Sequence, residues 1–299
     1  MLALQNPFQG CPTMSDAGRV VQFGPRKTID DELNGIEYGF MLQEPEPDNW
    51  MVDNCFLAGE VGIISGNGGA GKSSIMQQLA TCAVLGLPWL GFRLKAGKAL
   101  MLACEDTQER LKKRQYAINK SLARHMEDVL DAGLDLISRV TKDNILLSLD
   151  RSNWRLRRES LMDKLVTRCC RTGVQYVIID TITKTFGGNQ SDPRHVTDYI
   201  NEMQRLAIAI NGVVILTQHP SMRGRMTGTG ESGSVQWENS VRARLYLHSH
   251  KTQGLILEGM KANYSEKPKP LPLVFKHGVF AVREPEKPRD YTEPTNTLL

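Results

Sequence analysis

Residues 66–73 read Gly-Asn-Gly-Gly-Ala-Gly-Lys-Ser, and their spacing fits the phosphate-binding pattern G-x-x-x-x-G-K-[ST]. A polyphosphate carries several negative charges and must be held by many donors at close range. Glycines let the backbone turn and approach without a Cβ in the way. The N–H groups then converge on phosphate oxygens, and a helix opening at the end of the loop adds its positive dipole end. The candidate nucleotide contacts are Gly66, Asn67, Gly68, Gly69, Ala70, Gly71, Lys72, Ser73 and Ser74. Lys72 is a mobile point charge for the terminal phosphates, and Ser73 offers a hydroxyl to a magnesium ion. A glycine-rich turn with an incidental lysine would leave the same letters. The context argues against it: Val61–Ser65 reads as a short buried strand, and Ile75, Leu79, Cys82 and Ala83 follow at helical spacing.

Two carboxylates could complete a hydrolytic site. Val174–Asp180 (VQYVIID) is an apolar run ending in an acid, and in a parallel sheet ligands collect at the strand C-termini. Asp180 is therefore the candidate for holding magnesium through water beside Ser73, with Thr181 assisting. Glu105 follows the apolar strand Lys98–Ala103 and is the candidate base that orients and deprotonates a water. The plainer role for Glu105 is a helix-start acid, but Asp106 suits an N-cap better, with Glu109 completing a capping box. Gln218 and His219 close the apolar strand Val213–Thr217, either as sensors of the terminal phosphate or as ordinary strand-end hydrogen bonders. The loop Pro220–Ser234, with Arg223 and Arg225 among its glycines, cannot pack a core. It is a surface loop or an element that tracks a phosphate backbone.

These groups need a scaffold that alternates strand and helix. A helix is expected over Thr107–Leu130, with a basic face that is a solvated surface or a nucleic-acid contact. Short strands are expected at Leu134–Val140 and Asn144–Leu149, and helices at Arg157–Arg171 and His195–Asn211. One or two helical turns follow at Val235–Arg242, then antiparallel strands at Arg244–His248 and Gly254–Lys261 and a closing hairpin at Pro272–Val282. Residues 1–40 read as a mobile arm, 41–283 as one folded domain and 284–299 as a disordered tail.

Composition bounds the rest. The 299 residues can bury a large core, and a net charge of +4 permits a polyanionic partner without demanding one. Six cysteines without a C-x-x-C spacing suit a reducing cytoplasm. The most apolar stretch, Leu79–Phe92, is too short to span a membrane and contains Pro88, and no membrane partner is expected.

Taken together, GNGGAGKS, the LACED segment with Glu105, IIDTI around Asp180, ILTQH around Gln218, SGSVQWENSVRARLYL and MKANY resemble the RecA-like P-loop ATPases. Within them the chain is similar to the RepA-like hexameric replicative helicases of plasmids and phages, over about residues 50–282. The resemblance implies a mostly parallel α/β sheet flanked by helices with an antiparallel β extension at the C-terminal end. It implies hydrolysis of ATP with magnesium in a ring of identical subunits, a hexamer, with each nucleotide at a subunit interface. A cation from the neighbouring subunit would then serve as the catalytic finger, and the matching residues are Lys261 in MKANY and Arg242 in SVRAR, whose ordinary roles would be a strand-end lysine and a helix salt bridge. The Arg223 and Arg225 loop would touch single-stranded DNA in the channel, and a separate loader or initiator protein would place the ring. Where some relatives carry a His pair after the fourth strand, this chain has Gln218-His219. A recombination or repair ATPase, or a nucleotide-switched adaptor, remains the alternative.

Overall fold

The computed structural model describes residues 35–36, 38–250 and 254–284. The expected arm therefore lies almost wholly, and the expected tail except for Glu284, outside the described residues.

A short helix α1 (Tyr38–Met41) precedes an antiparallel ribbon of β1 (Trp50–Val52) and β2 (Phe56–Leu57). Strand β3 (Val61–Gly66) enters the glycine loop, and α2 (Lys72–Leu85) leaves it. Then come β4 (Lys98–Ala103), α3 (Gln108–Leu122), α4 (Met126–Asp131) and β5 (Leu134–Ser138). A hairpin of β6 (Leu147–Asp150) and β7 (Arg155–Arg158) leads to α5 (Ser160–Thr172) and β8 (Val174–Asp180). Next are α6 (Ile182–Thr185), β9 (Phe186–Gly187), α7 (Pro193–Ala209) and β10 (Val213–Gln218). The chain continues through α8 (Met222–Met226), α9 (Gln236–Asn239), β11 (Ala243–His250) and β12 (Gly254–Ala262), and ends on the hairpin β13 (Leu271–Lys276) and β14 (Val279–Val282).

Among the described residues the main sheet has nine strands in the order β14-β13-β12-β11-β3-β10-β8-β4-β5. From β11 to β5 all neighbours are parallel; β12, β13 and β14 extend the sheet antiparallel. This is the expected α/β architecture with its C-terminal β extension.

Strands buried on both faces should be apolar throughout and send alternate residues to opposite layers. Strand β8 does this. Tyr176 and Ile178 join Met101, Ile215, Leu245 and the α2 residues Ile75 and Leu79 on one face. Val177 and Ile179 join Leu100, Val214, Leu216 and residues of α5 and α7, among them Met162, Leu165, Tyr199 and Met203, on the other. The N-terminus of α7 is fixed as well as its apolar face: Asp192 caps it by accepting from Arg194 and His195 N–H, with Pro193 in the first turn.

Several expectations change. The helix expected over Thr107–Leu130 is two helices, broken at Ala123, whose φ of 51° is left-handed. Asp106 is not the cap: Thr107 is, its hydroxyl accepting from Arg110 N–H at 3.3 Å. The acid is drawn away by Arg114, eight residues on, at 2.7 Å. The helix expected over Arg157–Arg171 begins only at Ser160: Arg157 and Arg158 lie in strand β7, because Leu147–Asp150 pairs with Arg155–Arg158 and Asp198 and Glu202 of α7 take Arg155 and Arg158. The 220–234 loop is not wholly superficial either. It contains α8, and its buried Gly224 lies against the Glu231 backbone.

Candidate functional site

The register of the parallel strands decides what meets at their C-terminal ends. Gln218 of β10 lies opposite Ser65, the residue before the glycine loop, and Ala103 of β4 lies opposite Asp180 of β8. The loop, Gln218, Asp180 and the link carrying Glu105 therefore share one edge across four adjacent strands, β3, β10, β8 and β4. Open α/β sheets bind ligands at this edge.

The glycine loop is shaped from below and behind. A Cβ on Gly66 would sit 2.7 Å from the Leu247 carbonyl oxygen of β11. Gly71 adopts φ +97°, and a Cβ there would sit 2.4 Å from Cζ of Phe280. Phe280 belongs to β14 and is held by α2: Gln78 Nε2 donates to its carbonyl at 2.9 Å, and its N–H donates to Gln78 Oε1 at 3.0 Å. The last strand of the sheet thus backs the first binding element.

Lys72 is buried, and its Nζ donates to the Gly66 and Asn67 carbonyls at 2.7 and 3.1 Å and lies 3.2 Å from His219 Nδ1. Burial lowers its pKa, while the carboxylates of Asp180 and Glu105 raise it. Asp180 is buried at 4% exposure, and Glu105 is exposed. Burial and the Lys72 charge likewise hold the His219 imidazole below its ordinary pKa, so it is neutral near pH 7 beside the ammonium.

Asp180 is oriented by a residue that sequence reasoning did not single out. Thr217 Oγ1 donates to Asp180 Oδ1, while Thr181 Oγ1 donates to the Thr217 carbonyl at 2.9 Å. The signal was present in the strand VVILTQ, whose hydroxyl sits one residue before its end, but the pairing of β10 with β8 is non-local. Gln218 is 3% exposed, and its Nε2, like Asn67 Oδ1, is buried without a protein partner. Buried polar groups of this kind need a partner; Asn67 lies in the loop, and Gln218 pairs with the residue before it. The hydroxyl of Ser73 and the carboxylate of Asp180 are hard oxygen donors of the kind magnesium takes. The residues present fit a nucleotide with its metal.

Arg242 and Lys261 stand elsewhere. Arg244 pairs with Ile63 on one side and Lys261 on the other, and Ile63 is three residues, about 10 Å, before Gly66. Lys261 Nζ donates to the Glu238 carbonyl at 2.7 Å, and Arg242 is exposed nearer still to the strand entry. Neither belongs to this chain's own phosphate edge. Arg223 and Arg225 are exposed on α8, directly after Gln218-His219-Pro220.

The neighbouring Arg244, not anticipated, is the buried cation of this region. At 4% exposure it pairs with Glu238 Oε1 at 2.6 Å and donates to the Thr229 carbonyl at 2.8 Å, fastening the loop to β11. Among the described residues no group of three or more His, Cys, Asp or Glu side chains is disposed to hold a metal alone, and no helix is long and apolar enough to cross a membrane.

Residues 31–225 match the family model described as AAA domain. No curated protein matches the chain. The loop, its lysine and the acid-bearing sheet edge fall inside the matched span except for the β14 backing. The chain belongs to the AAA domain family of P-loop ATPases.

Proposed function

We propose that the chain hydrolyses ATP at the edge formed by the glycine loop, Asp180 and Glu105, and uses the cycle to translocate on single-stranded DNA as a ring-forming replicative helicase, a hexamer working in the cytoplasm with a separate loader. The observation that carries the hydrolytic part is the register that brings the glycine loop, Gln218, Asp180 and the link bearing Glu105 to one edge of the sheet. Loop amides and Lys72 hold the phosphates. Ser73 and Asp180 would hold a magnesium ion, which would supply positive charge to the nucleotide's phosphates. Glu105 accepts the proton of the attacking water, a P–O bond forms to that water, and the bond to the ADP oxygen breaks. Thr217 keeps the Asp180 carboxylate turned to the edge. Arg242 or Lys261 acts on the neighbouring subunit's nucleotide as the trans cation.

Continuity supports the motor part. His219 lies against Lys72, and the next residues run straight into the loop with Arg223 and Arg225. Loss of the terminal phosphate changes the charge that Gln218 and His219 face, and the loop attached to them moves.

The test is the ATPase rate of sized oligomers with and without single-stranded DNA across a salt series, together with displacement of a strand from a tailed duplex. Stimulation that fades with salt and unwinding that requires ATP are expected. Stimulation without unwinding favours a recombination or repair ATPase, and binding without turnover favours a switched adaptor.

A further inference from the structure

Glu105 is exposed on the three-residue link between β4 and the Thr107 cap of α3, outside any regular element. A base on so short and open a segment gains rate only if its carboxylate is held in place. The backbone on either side of it is held. Cys104 N–H donates to the Asp180 carbonyl at 2.7 Å, and Ser138 Oγ donates to the Asp106 carbonyl at 2.7 Å. The Asp106 carboxylate takes Arg114 at 2.7 Å, with side chains only 22% and 11% exposed.

Arg114 does not end the chain of contacts. Its second nitrogen donates to Gln77 Oε1 at 3.0 Å, and Gln77 lies on α2, five residues beyond Lys72. Gln77 is fully buried, and its amide is fixed in orientation because Nε2 donates to the Leu111 carbonyl at 3.0 Å and to Gln115 Oε1 at 2.8 Å. Thr81 and Asn119 continue the network through Gln115 at 3.0 and 2.8 Å. The neighbouring Lys112, Lys113 and Lys120 of α3 stay exposed while Arg114 turns inward. A planar guanidinium can bridge an amide and a carboxylate at once; a lysine ammonium has no such fork.

We infer that Arg114 is a positioning residue: through Asp106 on one side and Gln77 on the other, it ties the Glu105 link to the helix that bears Lys72, so that base and phosphate cradle keep one geometry. The inference rests on the reading of Glu105 as base.

The test compares wild type, Arg114→Met, Glu105→Gln and the double variant for kcat, for KM and for the Kd of a slowly hydrolysed ATP analogue. Arg114→Met is expected to lower kcat tenfold or more, since a displacement of about 1 Å costs on the order of 10²-fold. The analogue Kd should stay within about twofold, and adding Arg114→Met to Glu105→Gln should lower the residual single-turnover rate no further. Arg114→Lys, which keeps the charge on Asp106 but loses the bridge, should fall between. An unchanged kcat, a Kd that weakens as much as kcat falls, or the same loss in the Glu105→Gln background each overturns the inference. Glu105→Gln at wild-type turnover removes the base reading instead and is seen in that variant alone. If Arg114→Met does not fold, Asp106→Asn tests the same link, and full activity in it overturns the proposal.

Discussion

A double-mutant cycle between Gly71 and Phe280 separates backbone strain from steric contact at the phosphate loop. Gly71 holds φ +97°, and a left-handed conformation costs an L residue about 1–2 kcal/mol. A new Cβ would also meet the far ring atoms of Phe280, at 2.4, 3.1 and 3.6 Å. That ring cannot swing freely. It is 4% exposed, both its backbone groups are bonded to Gln78, and it packs on Phe275 with centroids 4.8 Å apart. Overpacking against such a wall costs about 1–3 kcal/mol. Gly71→Ala should therefore destabilise the fold by about 2–5 kcal/mol, the sum of the two. Phe280→Leu removes every ring atom that clashes. Its own cost stays below the roughly 3–5 kcal/mol of a Phe-to-Ala change. In that background Gly71→Ala keeps only the strain, about 1–2 kcal/mol, which leaves a coupling of about 1–3 kcal/mol. Urea unfolding at one protein concentration measures all four corners, the fixed concentration cancelling mass action from association. Costs that add within about 0.5 kcal/mol would refute the packing of β14 on the loop.

Three further outcomes are expected. Arg244→Met breaks a cation pair whose acid partner is 22% exposed on its side chain, so the loss should sit near the low end of the buried-pair range, about 3 kcal/mol; amide exchange at 227–231 should quicken because Thr229 loses its anchor. His219 is held below its ordinary pKa of 6.5 by burial and by Lys72. The unfolded chain then binds the proton first, so this contribution to stability is full above pH 6.5 and lost as pH falls toward the lowered value. His219→Gln should flatten that acid limb in a pH series of denaturant midpoints, and an identical limb would remove His219 as its source. Replacing Arg223 and Arg225 together by alanine should reduce the salt slope of single-strand binding by about 0.7 for each phosphate the loop no longer neutralises; an unchanged slope takes the loop off the strand.

Much of the site could be read from the chain because its parts are local. The strand, glycine loop and helix around Lys72 form one continuous stretch, and Asp180, Gln218 and the Glu105 link each end an apolar run. Parallel pairing then brings those ends together, as the strand order requires. What escaped was set by distant partners. Asp106 resembles a helix cap until Arg114 claims it. Arg157 and Arg158 resemble a helix start until β6 and α7 supply partners. Thr217 is marked locally only by a hydroxyl one residue before the end of its strand, and Arg244 and Phe280 carry no local pattern that marks them. Their roles follow from which strands neighbour β3 and from a hairpin more than two hundred residues beyond the loop that folds back against it. The Pro220–Ser234 loop looked unable to pack because its glycines lack side chains. Gly224 is buried for that very reason, since a Cβ there would lie 2.1 Å from the Glu231 carbonyl oxygen.

The central claim is that one sheet edge joins the phosphate cradle to a carboxylate that activates water. Phosphate release from saturating ATP by Glu105→Gln, with nucleotide affinity measured on the same sample, tests it most directly. Turnover should fall by about 10²–10⁴ while the nucleotide is still held, as loss of a general base requires. Turnover equal to wild type, or affinity lost in step with rate, would contradict the assignment.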